Sequence, residues 1–360
     1  MSNYVITANN IAELGGAQHV AHTLARGLAS RGHTVYLVGI TPVDDPHTYP
    51  NGGYAERTLM PQIWPEKTST NGDLRTNLRA QAVTELQSLL QSLGSANIVA
   101  TQLWSLEIVL DALGDPNPHF PVIGQYHGSF AAAASGRDLR RAQKLAPQCT
   151  YFTALSGEDT AAFAQAGLTN VITLNNPTTI TVEQFTEATA QVRGNTIDYI
   201  GRLSAEKGPD LLLSAWQQLQ ASDQVAGITL RFTGSGPMRE ELVARGVANV
   251  EFADPVDNAA HVIGQSRLVV LPSRTEGAPL VLAEALTLGA PVVITDVSSG
   301  IREMIAGQSR LVLVERDSVE ALTAGIAAGI AIESDPHPVY SPNDRVFEAL
   351  EGLFLVPAGR

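Results

Sequence analysis

The chain has 360 residues, 44% hydrophobic and 16% charged, a balance that suits a globular α/β protein long enough for two separate cores. A formal net charge of −13, from 23 Lys and Arg against 36 Asp and Glu, leaves no basic surface for a polyanion and excludes nucleic acid as a partner. The single cysteine, Cys149, excludes disulfides and cysteine-rich metal sites and reads as a buried, inert thiol.

Residues 4–8 predict a buried strand, 9–16 a loop and 17–31 a helix with Val20, Leu24 and Leu28 on one face. Residues 34–40 predict a second strand, and the handedness of βαβ units makes the pair parallel. No basic and apolar leader opens the chain and no later run approaches a membrane span, so the expected location is cytoplasmic. Further strands are expected at 97–101, 121–126, 150–155 and 171–174, with helices such as 78–93 between them. This is a Rossmann-like domain over 1–180.

Asn175-Asn176-Pro177-Thr178-Thr179 and the polar residues up to 195 break the alternation, which places a hinge there. A second Rossmann-like domain is expected over 192–340. Its strands fall at 197–201, 228–233, 250–253, 268–272, 291–295 and 310–314. Its helices fall at 209–219, 237–245, 258–266, 279–288, 301–306 and 318–330. The strands are almost wholly apolar, as parallel strands covered on both faces must be. A turn-rich connector at 336–342 leads into a helical tail over 341–360, with Val346, Phe347, Leu350 and Phe354 on one side. The fold class is therefore α/β, two doubly wound parallel sheets with a cleft between them.

The chemistry concentrates after the strand at 268–272. There Thr275-Glu276-Gly277-Ala278-Pro279-Leu280 opens a helix that carries Glu284 in its second turn. Free amides and the positive end of a helix dipole suit a phosphate, and Gly277 lets the backbone come close. Two carboxylates beside a phosphate need neutral hydroxyl partners, such as those of a sugar and a ribose. The plainer alternative is a solvated capping glutamate, but Glu284 in an apolar run would then be buried without a partner.

Glu276, seven residues, and Glu284, preceded by Gly201-Arg202-Leu203-Ser204-Ala205-Glu206-Lys207-Gly208, resemble the retaining glycosyltransferases of family 4 with the GT-B fold. The resemblance implies that Arg202 and Lys207 neutralise the donor diphosphate, that Glu284 pairs with the ribose and that Glu276 pairs with the donor sugar. Fixed cations stabilise a leaving diphosphate most as its bond breaks. By the same resemblance, Gly15-Gly16 forms a glycine loop facing donor and acceptor, and His127 in Gln125-Tyr126-His127-Gly128-Ser129 contacts the transferred sugar. Gly234 and Gly236 line the diphosphate, and residues 252–255 lie where the base sits. Gly277, Ala278, Pro279 and Leu280 complete the donor set. Taken alone, Gly15-Gly16 is equally a tight turn and His127 a core histidine.

The implied activity is transfer of a hexose or N-acetylhexosamine from a nucleotide sugar to a hydroxyl acceptor with retention. Asp296-Val297-Ser298-Ser299-Gly300 resembles the branch that uses UDP-sugars, and GDP-mannose stays open. Where the family's usual Phe-Gly follows the first motif Glu, this chain has Gly277-Ala278, which leaves the sugar open. No cofactor or metal is expected: His19 and His22 lack a completing ligand and no Asp-x-Asp pair follows a strand. Arg137, Arg140, Arg141 and Lys144 on one helical stretch fit an anionic acceptor or a membrane surface, with a solvated helix face as the alternative, and Trp104 fits the lining of the acceptor cleft, with core packing as the alternative. A sugar-nucleotide epimerase and a two-domain sugar-binding protein are the competing functions.

Overall fold

The computed structural model describes residues 1–50, 52–68, 71–222, 224–333 and 344–355, and the connector expected at 336–342 lies outside them. The chain divides into two compact units. Unit 1 is Met1–Pro177 with the C-terminal segment from Asn343, and unit 2 is Thr178–Pro342.

In unit 1, strands β1 (Asn3–Ala8), β2 (Thr34–Gly39) and β3 (Ala55–Thr58) are followed by β4 (Asn97–Ala100), β5 (Val122–Gln125), β6 (Tyr151–Ala154) and β7 (Val171–Thr173). They form one parallel sheet in the order β3-β2-β1-β4-β5-β6-β7. Helices α1 (Gly16–Ser30), α2 (Gly72–Leu93), α3 (Leu103–Leu113), α4 (Phe130–Ser135), α5 (Asp138–Leu145) and α6 (Gly157–Gln165) run between the strands. The central strands are buried because each side chain meets a helix on its own face. Strand β3 departs from the apolar rule: its sequence AERT is exposed throughout, which only an edge position permits.

Unit 2 opens with α7 (Val182–Thr189), inside the segment expected to be an irregular hinge. Thr181 accepts from Gln184 N while the Gln184 side chain accepts from Thr181 N, a capping box that satisfies two end amides. There follow β8 (Thr196–Ile200), α8 (Pro209–Ala221), β9 (Thr229–Thr233), α9 (Arg239–Ala244), β10 (Val250–Ala253) and α10 (Ala259–Gln265). The rest is β11 (Leu268–Leu271), α11 (Leu280–Thr287), β12 (Val292–Thr295), α12 (Ser299–Ile305), β13 (Leu311–Val314) and α13 (Val319–Ile330). The sheet order is β10-β9-β8-β11-β12-β13, again all parallel. Two apolar layers cover it, one around Trp216, Leu213 and Phe232, the other around Ile263, Leu282 and Ile294. Asp198 in β8 is fully buried, and Arg231 across the ladder in β9 offsets its charge at 2.6 Å.

The last helix, α14 (Asp344–Leu355), belongs to unit 1. The Phe347 ring fills the space a Cβ on Gly27 of α1 would need, and Phe354 meets Tyr4 edge-on. Glu351 accepts from Arg31 and pairs with His33, both at 2.9 Å. No described helix is long and apolar enough to cross a membrane.

Candidate functional site

In unit 2 the expected donor residues lie on the loops that leave the C-terminal ends of β8, β9 and β11 and on α11, which follows the last of these loops. The first two loops are in backbone contact: Leu203 N donates to Ser235 O at 2.7 Å. A Cβ on Gly234 would stand 2.0 Å from Gly201 O, and one on Gly236 would stand 2.4 Å from Leu203 O. These glycines therefore serve close approach of one loop to the other. Gly208 has φ +66°, and a Cβ there would meet Pro272 O at 2.1 Å, so the turn carrying Lys207 seats against the loop after β11.

That seating joins two of the expected functional side chains. Lys207 Nζ donates to Glu276 Oε1 at 2.7 Å, and Ser273 Oγ donates to the same oxygen at 2.7 Å. The Glu276 side chain is only 10% exposed, so its charge is offset locally. Arg202 is exposed, and its carbonyl accepts from the Tyr199 hydroxyl at 2.5 Å. Gly277 is gripped from the loop after β12: Ser298 Oγ donates to its carbonyl at 2.6 Å, and Gly300 approaches too closely for any Cβ. No side chain caps α11, which starts at Leu280 behind Pro279, so its first amides remain available at the loop carrying Ala278.

Glu284 stands on α11 and is 8% exposed. The Thr179 hydroxyl donates to its Oε1. Burial pushes its carboxyl above the ordinary range, with the Thr179 bond acting the other way. Phe252 on β10 stacks on Phe232 with ring centroids 5.2 Å apart.

In unit 1, Gly15 is the N-cap of α1 and Gly16 its first residue, one residue earlier than the helix expected over 17–31. Gly15 N donates to the Tyr49 hydroxyl at 3.4 Å, and that hydroxyl donates to Glu13 O at 2.9 Å, which fixes the glycine loop. His127 follows β5, and both ring nitrogens are buried without a hydrogen bond of standard geometry, though Asn176 lies near enough to favour the charged ring. Burial outweighs that influence and lowers its pKa to about 4, so the ring is neutral and has unused hydrogen-bonding capacity.

The candidate acceptor arginines stand together on α5 and at its N-cap, but in different environments. Arg141 donates to Glu107 at 3.0 Å and Asp138 at 3.1 Å, which occupies its guanidinium, whereas Arg137 and Arg140 are exposed. Trp104 packs on Trp64 at 5.1 Å against the unit 1 core. Among the described residues no group of three or more His, Cys, Asp or Glu is placed to hold a metal.

Two features were not anticipated from the sequence. Arg274, between Ser273 and Glu276, donates to both Asp210 oxygens at 2.9 and 2.7 Å, to Asp317 at 2.8 Å and to Ala205 O at 2.6 Å. Its own amide donates to Glu206 O at 2.8 Å, so one residue fastens the Lys207 turn to the Glu276 loop. The second is a ring cluster about Tyr49, on which His22 stacks at 3.9 Å while His19 and His47 approach edge-on.

Comparison with known proteins accords with this arrangement. The family described as Glycosyltransferase Family 4 matches residues 14–178, and the family described as Glycosyl transferases group 1 matches residues 194–331. An uncharacterized glycosyltransferase of Haemophilus influenzae is 26% identical over 88% of this chain and 87% of its own length. Sucrose-phosphate synthase of Thermosynechococcus elongatus shares the fold with a TM-score of 0.74 at 17% identity, covering 98% of this chain and 95% of that one. HepE of Anabaena, solved in complex with UDP-glucose, has a TM-score of 0.69 at 19% identity over 98% of this chain and all of that one. The two matched domains and the two Rossmann-like sheets define the chain as a glycosyltransferase of the GT-B fold.

Proposed function

We propose that the chain is a retaining glycosyltransferase of family 4 that moves a hexose or N-acetylhexosamine from a UDP-sugar to a hydroxyl of a polysaccharide, cell-wall glycan or glycoconjugate. The observation that carries the reading is the Lys207–Glu276 pair, a cation and a carboxylate fixed side by side at the ends of parallel strands, where α/β folds bind ligands. The UDP-glucose held by the HepE structure favours a uridine donor.

Arg202, Lys207 and the start of α11 receive the diphosphate, with Gly234, Gly236 and Gly277 allowing the backbone close approach. Glu284 accepts ribose hydroxyls. Glu276 accepts a hydroxyl of the transferred sugar. When the anomeric carbon–phosphate oxygen bond breaks, the electron pair stays on the leaving phosphate, where the cations stabilise it. The acceptor oxygen bonds to the anomeric carbon on the same face, and its proton passes to the leaving phosphate oxygen. The balance closes without an enzyme nucleophile or a metal.

The test is a panel of UDP-, GDP- and ADP-sugars in thermal unfolding, followed by product mass and anomeric configuration by NMR with candidate acceptors. Stabilisation by a UDP-sugar and an α-to-α or β-to-β product are expected. No stabilisation by any nucleotide sugar, or an inverted product, defeats the proposal. Conversion of the donor alone into an epimer would favour an epimerase instead.

A further inference from the structure

The two glutamates of unit 2 stand close together in the chain, but their charges are held differently. Glu276 has the Lys207 ammonium and the Ser273 hydroxyl on one oxygen. Glu284 has no such cation: among the described residues, burial and the Thr179 hydroxyl are what act on its charge. A carboxylate accepts at several lone pairs, so one neutral donor leaves most of its capacity unused. That donor also decides which way the buried carboxylate faces.

Thr179 is itself firmly placed. The next residue, Ile180, is buried in the apolar layer that holds Leu282 and Ala285, the α11 neighbours of Glu284. Thr181 then starts α7 with its capping box, and Ala188 of that helix lies so near Gly264 of α10 that no Cβ fits there. Before it, Pro177 is buried, and its ring fixes φ. The branched Thr179 side chain has few rotamers of its own. Its hydroxyl is therefore preorganised toward Glu284. Unlike Ser273, which serves Glu276 from the loop after β11, Thr179 comes from the polar segment that leads out of unit 1, whose first part ends at Pro177.

We infer that Thr179 is a positioning residue of the donor site: its hydroxyl orients the Glu284 carboxylate so that the remaining acceptor positions face the ribose of a bound uridine nucleotide. The inference rests on the ribose assignment of Glu284 above. It makes ribose recognition depend on the segment that joins the two units.

The experiment is calorimetric titration of UDP, 2′-deoxy-UDP and 3′-deoxy-UDP into the natural chain, Thr179→Val, Thr179→Ser and Glu284→Gln, with thermal unfolding of each as the control for folding. Valine keeps the shape of threonine and removes the hydroxyl; serine keeps the hydroxyl. The natural chain is expected to bind UDP roughly tenfold more tightly than at least one deoxy form, the value of one hydrogen bond to a charged group, and Glu284→Gln to lose that preference. Thr179→Val is expected to bind UDP roughly tenfold more weakly and that deoxy form almost as the natural chain does, so the preference for ribose collapses. Thr179→Ser should recover most of the UDP affinity. Thr179→Ala is the second hydroxyl-free variant and should repeat the valine result. A ribose preference kept in both hydroxyl-free variants would overturn the role of Thr179 and leave the assignment of Glu284 standing. So would equal weakening toward all three nucleotides in the valine and serine variants, the mark of a purely structural residue. Equal binding of all three nucleotides by the natural chain, or no binding of UDP, would remove the ribose assignment of Glu284, and the role of Thr179 would fall with it.

Discussion

Lys207 Nζ and Glu276 Oε1 are 2.7 Å apart, and the turn and loop that carry them are 69 residues apart in the chain. Each charge is thus the main local partner of the other, and neither can be removed without changing its neighbour's environment. Glu276→Gln keeps the hydrogen-bonding shape and removes the charge; it is expected to lower turnover by roughly 10²–10³ while UDP-sugar binding survives. Lys207→Met is expected to weaken donor binding as well as turnover. Because the two share one interaction, the double variant should lose less than the product of the single losses, as steady-state rates will show. Undiminished turnover in Glu276→Gln with normal donor binding would remove Glu276 from the mechanism.

Arg274 acts on the same pair without being assigned a ligand. Its bonds to Asp210, Ala205 and Asp317 hold the Lys207 turn against the Glu276 loop, and the guanidinium beside Asp210 depresses that carboxyl below the usual range. Arg274→Ala should therefore raise the donor KM and lower kcat by about tenfold each, since small displacements at a reacting centre are costly. Arg274→Lys cannot reproduce the planar fork and should recover only part of the loss. A variant with lowered thermal stability but unchanged kcat and KM would assign Arg274 a purely structural role.

Glu284 makes donor binding depend on pH with a definite sign. Burial raises its carboxyl pKa, so the folded chain holds the proton more tightly than an unfolded chain does, and this group favours folding as pH falls. A ribose donating hydroxyls to the carboxylate pulls the pKa back down and releases a proton. Affinity for UDP-glucose should then strengthen as pH rises through the raised pKa and level off above it. Calorimetry across pH in two buffers of different ionisation heat measures the proton release. Glu284→Gln should bind more weakly and with no such release; the same release in that variant would count against the ribose assignment.

Arg202, Lys207 and the uncapped start of α11 supply positive charge at the proposed diphosphate site without a metal. Transfer should therefore proceed at full rate in EDTA. Loss of activity that magnesium or manganese restores would defeat metal independence.

The strands of both sheets were readable because parallel strands covered on both faces are apolar runs, as in LVVL of β11 and VVIT of β12. Strand β3 escaped because an exposed edge strand with the sequence AERT carries no apolar signal. Helix α7 did have one, Thr181 followed by Gln184 as a capping box, but the neighbouring Asn, Pro and Thr residues masked it. Glu276, Glu284, Arg202 and Lys207 were singled out by a family resemblance in their motifs, and the fold sets Lys207 against Glu276. Arg274 was not, because Asp210 and Asp317 lie 64 and 43 residues away and only the fold brings them to one guanidinium. The ring cluster under Tyr49 was hidden in the same way: His22 lacked a metal partner in the sequence, and its stacking partner comes from the loop after β2.

His22 gives unit 1 a pH-dependent stability that can be separated from the carboxylates. Its pKa falls to about 4, chiefly through burial, with the Ile11 carbonyl opposing. An unfolded histidine titrates near 6.5, so the unfolded chain takes up a proton first. The contribution to stability is complete above the unfolded pKa and is lost as pH falls toward the folded one, about 2 kcal/mol between pH 6.5 and 5. The buried His127 adds a loss of the same sign. The depressed carboxyls of Asp210, Glu206 and Glu351 act lower, below the ordinary carboxylate range, whereas the raised carboxyls of Glu284 and Glu56 favour folding as pH falls and oppose the histidines, so the His22 contribution is read from the difference between the natural chain and a His22 variant. Urea unfolding at pH 7, 6 and 5 should show stability falling with pH in the natural chain. His22→Gln should be less stable at pH 7, because it cannot serve both Ile11 and Tyr54, yet should lose less on acidification. Parallel slopes for the two proteins would mean that the His22 pKa is the same in the folded and unfolded chain, and the depressed pKa of the buried ring would fall with it.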